Sequence, residues 1–261
     1  MNKPVEISTL TGAEAVVEML RAHGVEIVFG LCGDTSLPLY DALARLGGIR
    51  HVLTRDERHA AYMADGYARL SGKVGVCEGP SGGGATYILP GLVEANESSV
   101  PVLAINTDVS VSSRGRFTLT ELDQKALFKP LTKWNAVLDR SADIPRTMRK
   151  AFEAMTTGRT GTAHLALPFD VQNGPVERSD VWADPTLGSF PSRRVAPDPA
   201  MVELAAKLFR SSRFPLFVCG GGVVLSGAEA ELRTLSELLG AAVATTISGK
   251  GSIDEQSAQS V

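Results

Sequence analysis

The run Thr54-Arg55-Asp56-Glu57-Arg58 sets two adjacent carboxylates where an apolar stretch ends and a helical pattern begins. In open α/β sheets ligands bind at the carboxyl ends of the strands, so a carboxylate at such a junction can face a bound molecule and share a proton with it. The same pair can do no more than complement the positive end of the helix that follows, and spacing alone favours that blander use. A second group, Gly79-Pro80-Ser81-Gly82-Gly83-Gly84-Ala85-Thr86, also lies between an apolar stretch and a helical pattern. Glycines there let the backbone approach a flat or anionic ligand at a helix N-terminus. No Gly-Lys-Ser/Thr follows, and the dinucleotide pattern of glycines is matched only loosely. A tight structural connection accounts for such a turn nearly as well.

Both groups need elements to position them, and the chain alternates short apolar strands with helical patterns. Thr11 followed by Glu14 has the form of a capping box, opening a helix that carries Val16, Val17, Met19 and Leu20 and that Gly24 closes. Strands are expected over Val25 to Phe29, Ile49 to Thr54, Val74 to Cys77, Val100 to Ile105, Trp134 to Leu138 and Ala163 to Leu167. Helices are expected over Pro38 to Leu46, Glu57 to Leu70, the glycine turn to about Asn96, and Ile144 to Met155. This order implies an α/β fold, a doubly wound parallel sheet covered by helices on both faces. From Phe169 to Pro199 the chain is rich in Pro, Ser, Asp and Arg, as linkers are. The expected division is a first domain over 1–180, a linker over 181–198 and the start of a second α/β domain over 199–261. That second domain has helices near Met201 to Phe209 and Ala228 to Leu239, strands Pro215 to Cys219 and Ala242 to Thr246, and the turn Gly220-Gly221-Gly222. So few strands do not close a doubly wound sheet, and the domain is expected to be truncated.

The 261 residues carry a net charge of -3 and 44% hydrophobic residues, enough for one full core and part of another. Scattered lysines and arginines argue against a nucleic-acid partner. No apolar run approaches a membrane span, and the N-terminus MNKPVEIST lacks the apolar stretch of a signal peptide, so no membrane partner and a cytoplasmic location are expected. Cys32, Cys77 and Cys219 lie far apart beside apolar residues and are expected as buried free thiols. The histidines show no ligand spacing, His59 and His164 being expected as a helix and a strand residue, and no metal ligands are assigned within the chain.

Several motifs in register add up to a resemblance. Val28-Phe29-Gly30-x-x-Gly33-Asp34, Arg55-Asp56-Glu57 leading into Ala64-Asp65-Gly66-Tyr67-Ala68-Arg69, and Ser81-Gly82-Gly83-Gly84-Ala85-Thr86 are followed by Glu121-Leu122-Asp123 with Leu131-Thr132-Lys133. Gly158-Arg159-Thr160-Gly161 with Leu167-Pro168-Phe169-Asp170, then Gly220-Gly221-Gly222 with Thr245-Thr246 and Gly249-Lys250-Gly251, complete the series. Over essentially its whole length the chain resembles the N-terminal and early central domains of thiamine-diphosphate enzymes of the acetolactate synthase type.

The resemblance implies that Glu57 hydrogen-bonds ring nitrogen N1′ of the aminopyrimidine and so promotes formation of the ylid that attacks a 2-keto acid. It implies cofactor contacts from Gly33, Asp34, Ser81, Gly82, Gly83 and Glu121. It also implies a nucleotide-type site at Gly220, Gly221, Gly222, Thr245 and Thr246, where acetolactate synthases hold FAD and other branches ADP or nothing. The family's magnesium and diphosphate ligands follow a Gly-Asp-Gly, which occurs nowhere in this chain; they are expected in a further C-terminal domain, leaving these 261 residues inactive by themselves. A homodimer or homotetramer is implied, with faces around the helix Glu57 to Leu70 and the helix after Gly84. The expected activity is 2-keto acid decarboxylation with carboligation, a step of branched-chain amino acid biosynthesis. The alternatives are a non-oxidative decarboxylase and a non-catalytic module. Three departures bear on the substrate. Leu119-Thr120-Glu121 stands where acetolactate synthases have Phe-Gln-Glu, Arg55-Asp56-Glu57 where they have Arg-His-Glu, and Tyr87 replaces an asparagine. The paired histidines of the decarboxylases are absent from the loop Asn106 to Phe117.

Overall fold

A computed structural model describes residues 8–261; the first seven, on which the expected lack of a signal peptide partly rests, lie outside the described residues. The chain divides into two compact units, 1–193 and 194–261. In the first, β1 (Thr9–Thr11) leads into α1 (Gly12–Ala22), with the capping box present in full: Glu14 N–H donates to Thr11 Oγ1 and Thr11 N–H to Glu14 Oε2. There follow β2 (Ile27–Gly30), α2 (Leu37–Leu46), β3 (Arg50–Leu53), α3 (Glu57–Ser71), β4 (Gly75–Gly79), α4 (Gly83–Tyr87), α5 (Leu89–Glu97) and β5 (Val102–Asp108). The unit continues with α6 (Gln124–Phe128), β6 (Trp134–Val137), α7 (Ile144–Thr156), β7 (Ala163–Pro168), α8 (Phe169–Asn173) and β8 (Pro175–Glu177).

Six strands form one wholly parallel sheet in the order β3-β2-β4-β5-β7-β6. Side chains alternate between its two faces, which divides the core. Val28, Val76, Leu103 and Ile105 pack on one side with α1, α2 and α7, while Phe29, Cys77, Val102 and Ala104 pack on the other with α3 and α5. The doubly wound α/β architecture expected from the sequence is therefore the one observed. Sequence periodicity did not reveal the antiparallel pair β1–β8 or the short helices α4, α6 and α8. Each is too short to show a period of its own.

One part of the chain packs differently from its expectation. Residues 181–193, read as linker, lie against the first unit: Leu187 joins its core, Ser189 bridges Lys73 and Phe190 packs on the α3 side. Cys77 and Cys219 are buried, but Cys32 is exposed, because it follows the end of β2 in a loop at the rim of the sheet.

What brings α3 close to the sheet is the smallness of its inner face. Ala60, Ala61, Ala64 and Ala68 are all fully buried. Opposite them, a methyl on Gly91 would lie 2.7 Å from Ala61 Cβ, and one on Gly75 would collide with the Ala64 carbonyl oxygen. On the helices expected to face a partner, Ala60, Ala61, Ala64, Ile88 and Leu92 are consumed in this packing, while Met63 and Tyr87, and beside them Tyr62, remain exposed.

The second unit comprises α9 (Pro199–Ser211), β9 (Leu216–Cys219), α10 (Gly221–Ser226), α11 (Glu229–Leu239) and β10 (Ala242–Thr245), with β9 and β10 parallel. Its core is small, built on Cys219, Leu232, Val243 and Ile253. Among the described residues no helix is long and apolar enough to cross a membrane.

Two glycine substitutions separate packing from propensity. Gly75→Ala should lower the unfolding free energy by about 1–3 kcal/mol, because the backbones of β4 and α3 must part. Gly66→Ala, in the interior of α3 with open space around it, should raise it by roughly 0.5–1 kcal/mol. Urea unfolding of the two variants checks both signs.

Candidate active site

The bland and the chemical uses of the Asp56–Glu57 pair are both present, one on each residue. Asp56 is the N-cap of α3: it accepts from Arg58 N–H at 2.9 Å and from the Arg58 guanidinium, which holds its carboxyl down at about 2. Glu57 opens the helix and turns inward, only 8% exposed. Its Cγ lies 3.4 Å from where a Cβ on Gly79 would stand, and its Oε1 3.1 Å from the same point on Gly84. Glycine at 79 and 84 lets the turn pack closely here, since a methyl on Gly84 would also lie 2.5 Å from Pro80 Cδ and one on Gly79 3.1 Å from Asn106 Nδ2. Among the described residues no group donates a hydrogen bond to it, although buried carboxylates ordinarily find donors.

Gly33, Asp34 and Ser81 come together with Thr35, Pro80 and Thr120 in an open cavity of about 520 Å³ at the carboxyl ends of β2, β4 and β5. Gly33 permits the approach of two loops, since a methyl there would lie 2.5 Å from Pro80 Cβ. Gly82 has φ +68°, a conformation open to glycine, and a Cβ on it would meet Thr120 Cβ at 2.7 Å. Gly83 follows as the first residue of α4. Glu121 is placed elsewhere. Its carboxylate accepts from Gly115 N–H at 2.6 Å and Thr118 N–H at 3.3 Å, tying down the loop after β5, and it lines a separate hollow of about 570 Å³ with Arg114, Lys125 and Asn135.

In the second unit, Gly220, Gly221 and Gly222 form the turn from β9 into α10. Thr246 N–H donates to the Cys219 carbonyl, and Thr246 Oγ1 is 3.7 Å from a Cβ placed on Gly220, so the threonines and the glycines do lie side by side. His164 is fully buried, stacked 3.6 Å from Phe128 and bonded to Gln124; burial pushes its imidazole down to about 3, a neutral packing residue. His59 is exposed on α3.

One group escaped sequence reasoning. Glu78 extends β4 past the expected end at Cys77 and is wholly buried. Ser36 and Tyr40 hydroxyls donate to its two oxygens, Tyr40 at 2.7 Å, and Tyr40 in turn pairs with His51 Nε2 at 3.1 Å. Gly30 makes room, because a methyl there would lie 2.6 Å from the Tyr40 oxygen and 2.9 Å from Glu78 Oε2. Desolvation, reinforced by the charge on Glu57, pushes the Glu78 carboxyl up to about 7. The signal was available: a carboxylate inside the run Val74-Gly75-Val76-Cys77-Glu78-Gly79 is anomalous in a buried strand.

A parallel sheet with an inward acid, a glycine turn and a cavity at its carboxyl edge has the form of an α/β ligand-binding domain, its acid without a hydrogen-bond donor among the described residues. Comparison with known proteins makes this specific. Residues 10–127 match the thiamine pyrophosphate enzyme N-terminal TPP binding domain, and residues 202–261 the central domain of the same enzymes. The chain belongs to the thiamine pyrophosphate enzyme family. It is 42% identical over 248 residues to a probable acetolactate synthase large subunit of Methanocaldococcus jannaschii, covering 94% of this chain and 42% of that protein. It is 38% identical over 257 residues to an acetolactate synthase of Arthrospira platensis, covering 95% and 44%. With an acetolactate synthase of Mycobacterium bovis it shares 37% over 259 residues, covering 98% and 41%. The chain thus spans about two fifths of the length of these curated relatives.

Glu78 links stability to pH with a definite sign. Its folded value is raised above the ordinary 4.5, so below that value both states are protonated and no penalty exists. As pH rises toward about 7, the unfolded chain ionises first and the folded state is disfavoured. Relative to Glu78→Gln, wild type should therefore lose stability across this window, by at most about 1.4 kcal/mol per pH unit. Urea unfolding of both proteins at a series of pH values measures the difference; parallel curves would place the pH dependence elsewhere.

Proposed function

We propose that this chain is the aminopyrimidine-binding part of an enzyme that decarboxylates a 2-keto acid on thiamine diphosphate and joins the remainder to a second 2-keto acid, as in acetolactate synthesis. The single observation that carries this reading is Glu57, an acid only 8% exposed at the head of α3, with no hydrogen-bond donor among the described residues and packed against the glycine turn at Gly79 and Gly84. An acid so placed suits a ring nitrogen to be hydrogen-bonded. When bound, thiamine diphosphate supplies the electron sink for decarboxylation. Glu57 would hydrogen-bond ring nitrogen N1′, Gly33, Asp34, Ser81, Gly82 and Gly83 would line the approach, and Glu121 would fix the loop that bounds it. Matches to acetolactate synthases over 94–98% of the chain support the acetolactate reading.

The remaining assignments belong to the same proposal. Magnesium is the proposed partner of the diphosphate. FAD is the proposed occupant at Gly220, Gly221, Gly222, Thr245 and Thr246, supported by the turn that sets the threonines beside the glycines. The division into a domain over 1–180, a linker and a central domain follows the family. A homodimer or homotetramer in the cytoplasm is proposed, with Tyr62, Met63 and Tyr87 as exposed apolar residues on the pairing helices. Thr120, in place of the acetolactate synthases' glutamine, favours as a second reading a decarboxylase with a different acceptor or none.

In the complete protein, pyruvate with thiamine diphosphate and magnesium should yield acetolactate. Acetaldehyde as the product would favour the second reading, and no turnover of any 2-keto acid would overturn both. Glu57→Gln should cut turnover roughly 10²–10⁴-fold while calorimetric binding of the cofactor changes far less, because the amide keeps the size and loses the shared proton. Unchanged turnover in that variant would remove Glu57 from the chemistry.

A further inference from the structure

Glu78 is the inner end of a continuous line of hydroxyls. From its Oε1 the line runs to Ser36 Oγ, which shares a hydrogen bond of 3.0 Å with Thr107 Oγ1; Thr107 shares one of 2.8 Å with Thr35 Oγ1. Thr35 donates to Ser81 Oγ at 3.3 Å, and Ser81 shares a bond of 2.7 Å with Thr120 Oγ1. Glu78, Ser36 and Thr107 are completely buried, whereas Thr35, Ser81 and Thr120 line the open cavity. The line therefore joins a carboxylate in the core to the surface of the candidate site through four strand and loop segments that sequence separation alone would never connect.

Each hydroxyl has one proton to give, so a line of them is polarised: the direction of one bond dictates the next. With Glu78 ionised, Ser36 donates to it, Thr107 to Ser36 and Thr35 to Thr107, so Thr35 has no proton left for Ser81 and Thr120 receives no direction from the core. With Glu78 protonated the three inner bonds invert and Thr35 donates to Ser81. The acid donates to Ser36, the series runs outward, and the Thr120 hydroxyl is left free to donate into the cavity. We propose that Glu78 is a positioning residue whose protonation state, relayed through Ser36, Thr107, Thr35 and Ser81, decides whether Thr120 is held as a donor toward the cavity, the form that suits a carbonyl or carboxylate oxygen.

The surroundings keep both states within reach. Facing Glu78 are Tyr40 from α2, with His51 of β3 behind it, Cys32 from the loop after β2, and Glu57 from α3; among the described residues no lysine or arginine offsets its charge. The ionised form is opposed by burial and by Glu57, and held by the Ser36 and Tyr40 hydroxyls. Loss of a proton from Tyr40 cannot substitute, since burial first, and the Glu78 charge second, push its phenol far up. The relay does not depend on which ligand fills the cavity, so it stands or falls separately from the acetolactate reading.

The experiment is a pH titration of the unliganded protein by carbon NMR, following the Glu78 side-chain carboxyl and the methyls of Thr35, Thr107 and Thr120. All four should move together with a midpoint of about 7. In Glu78→Gln the three methyls should become flat over the same range. In Thr107→Val, which keeps the packing and cuts the line in the middle, Glu78 should still titrate while Thr120 goes flat; this variant serves alone if Glu78→Gln does not fold. A Thr120 methyl that titrates unchanged in Thr107→Val, or stays flat in wild type while Glu78 titrates, would overturn the relay, as would a Glu78 carboxyl that does not titrate.

Discussion

Two carboxylates, Glu57 and Glu78, meet at the carboxyl edge of this sheet; Arg58 lies near Glu57, while among the described residues no cation offsets Glu78. A buried charge is costly unless it is paired or hydrogen-bonded, and the two acids meet that cost in different ways. Glu78 is met by two hydroxyls and shifts upward, while Glu57 receives no donor from the described residues. Burial first, and the nearby Glu57 second, raise the cost of ionising Glu78, so the charge at this edge depends on pH through Glu78.

Strand geometry keeps the acids apart. Along β4 successive residues point to opposite faces, so Glu78 projects toward α2 with Val76, while Gly79 turns its empty side toward Glu57 on α3. The close seat of α3 is then a requirement rather than a convenience. Four fully buried alanines, with Gly75 and Gly91 opposite, let the helix approach near enough for its first residue to reach across the strand ends. Larger side chains on that face would lift Glu57 away from the turn that faces it.

Both matched domains of the thiamine pyrophosphate enzymes fall on separate compact units, one with a complete six-stranded sheet and two cores, the other with two strands around four buried side chains. The residues proposed to act on the aminopyrimidine all lie in the first unit, and the glycine and threonine pairs proposed for a nucleotide lie in the second.

The sequence by itself determined the alternation of strands and helices, because apolar period and turn chemistry are local properties, and with it the doubly wound sheet. It also singled out Glu57 and the turn from Gly79 to Thr86, since their place at strand ends follows from that alternation. Tertiary structure alone decided which acid of the Asp56–Glu57 pair caps the helix and which turns inward, a matter of rotation about α3 that spacing does not specify. It bound the Glu121 carboxylate to the backbone of its own loop, and it packed residues 181–193 onto the first unit. The network from Glu78 to Thr120 gathers residues 36, 78, 107, 35, 81 and 120 only because a parallel sheet brings the ends of distant strands together. No local pattern records such a meeting.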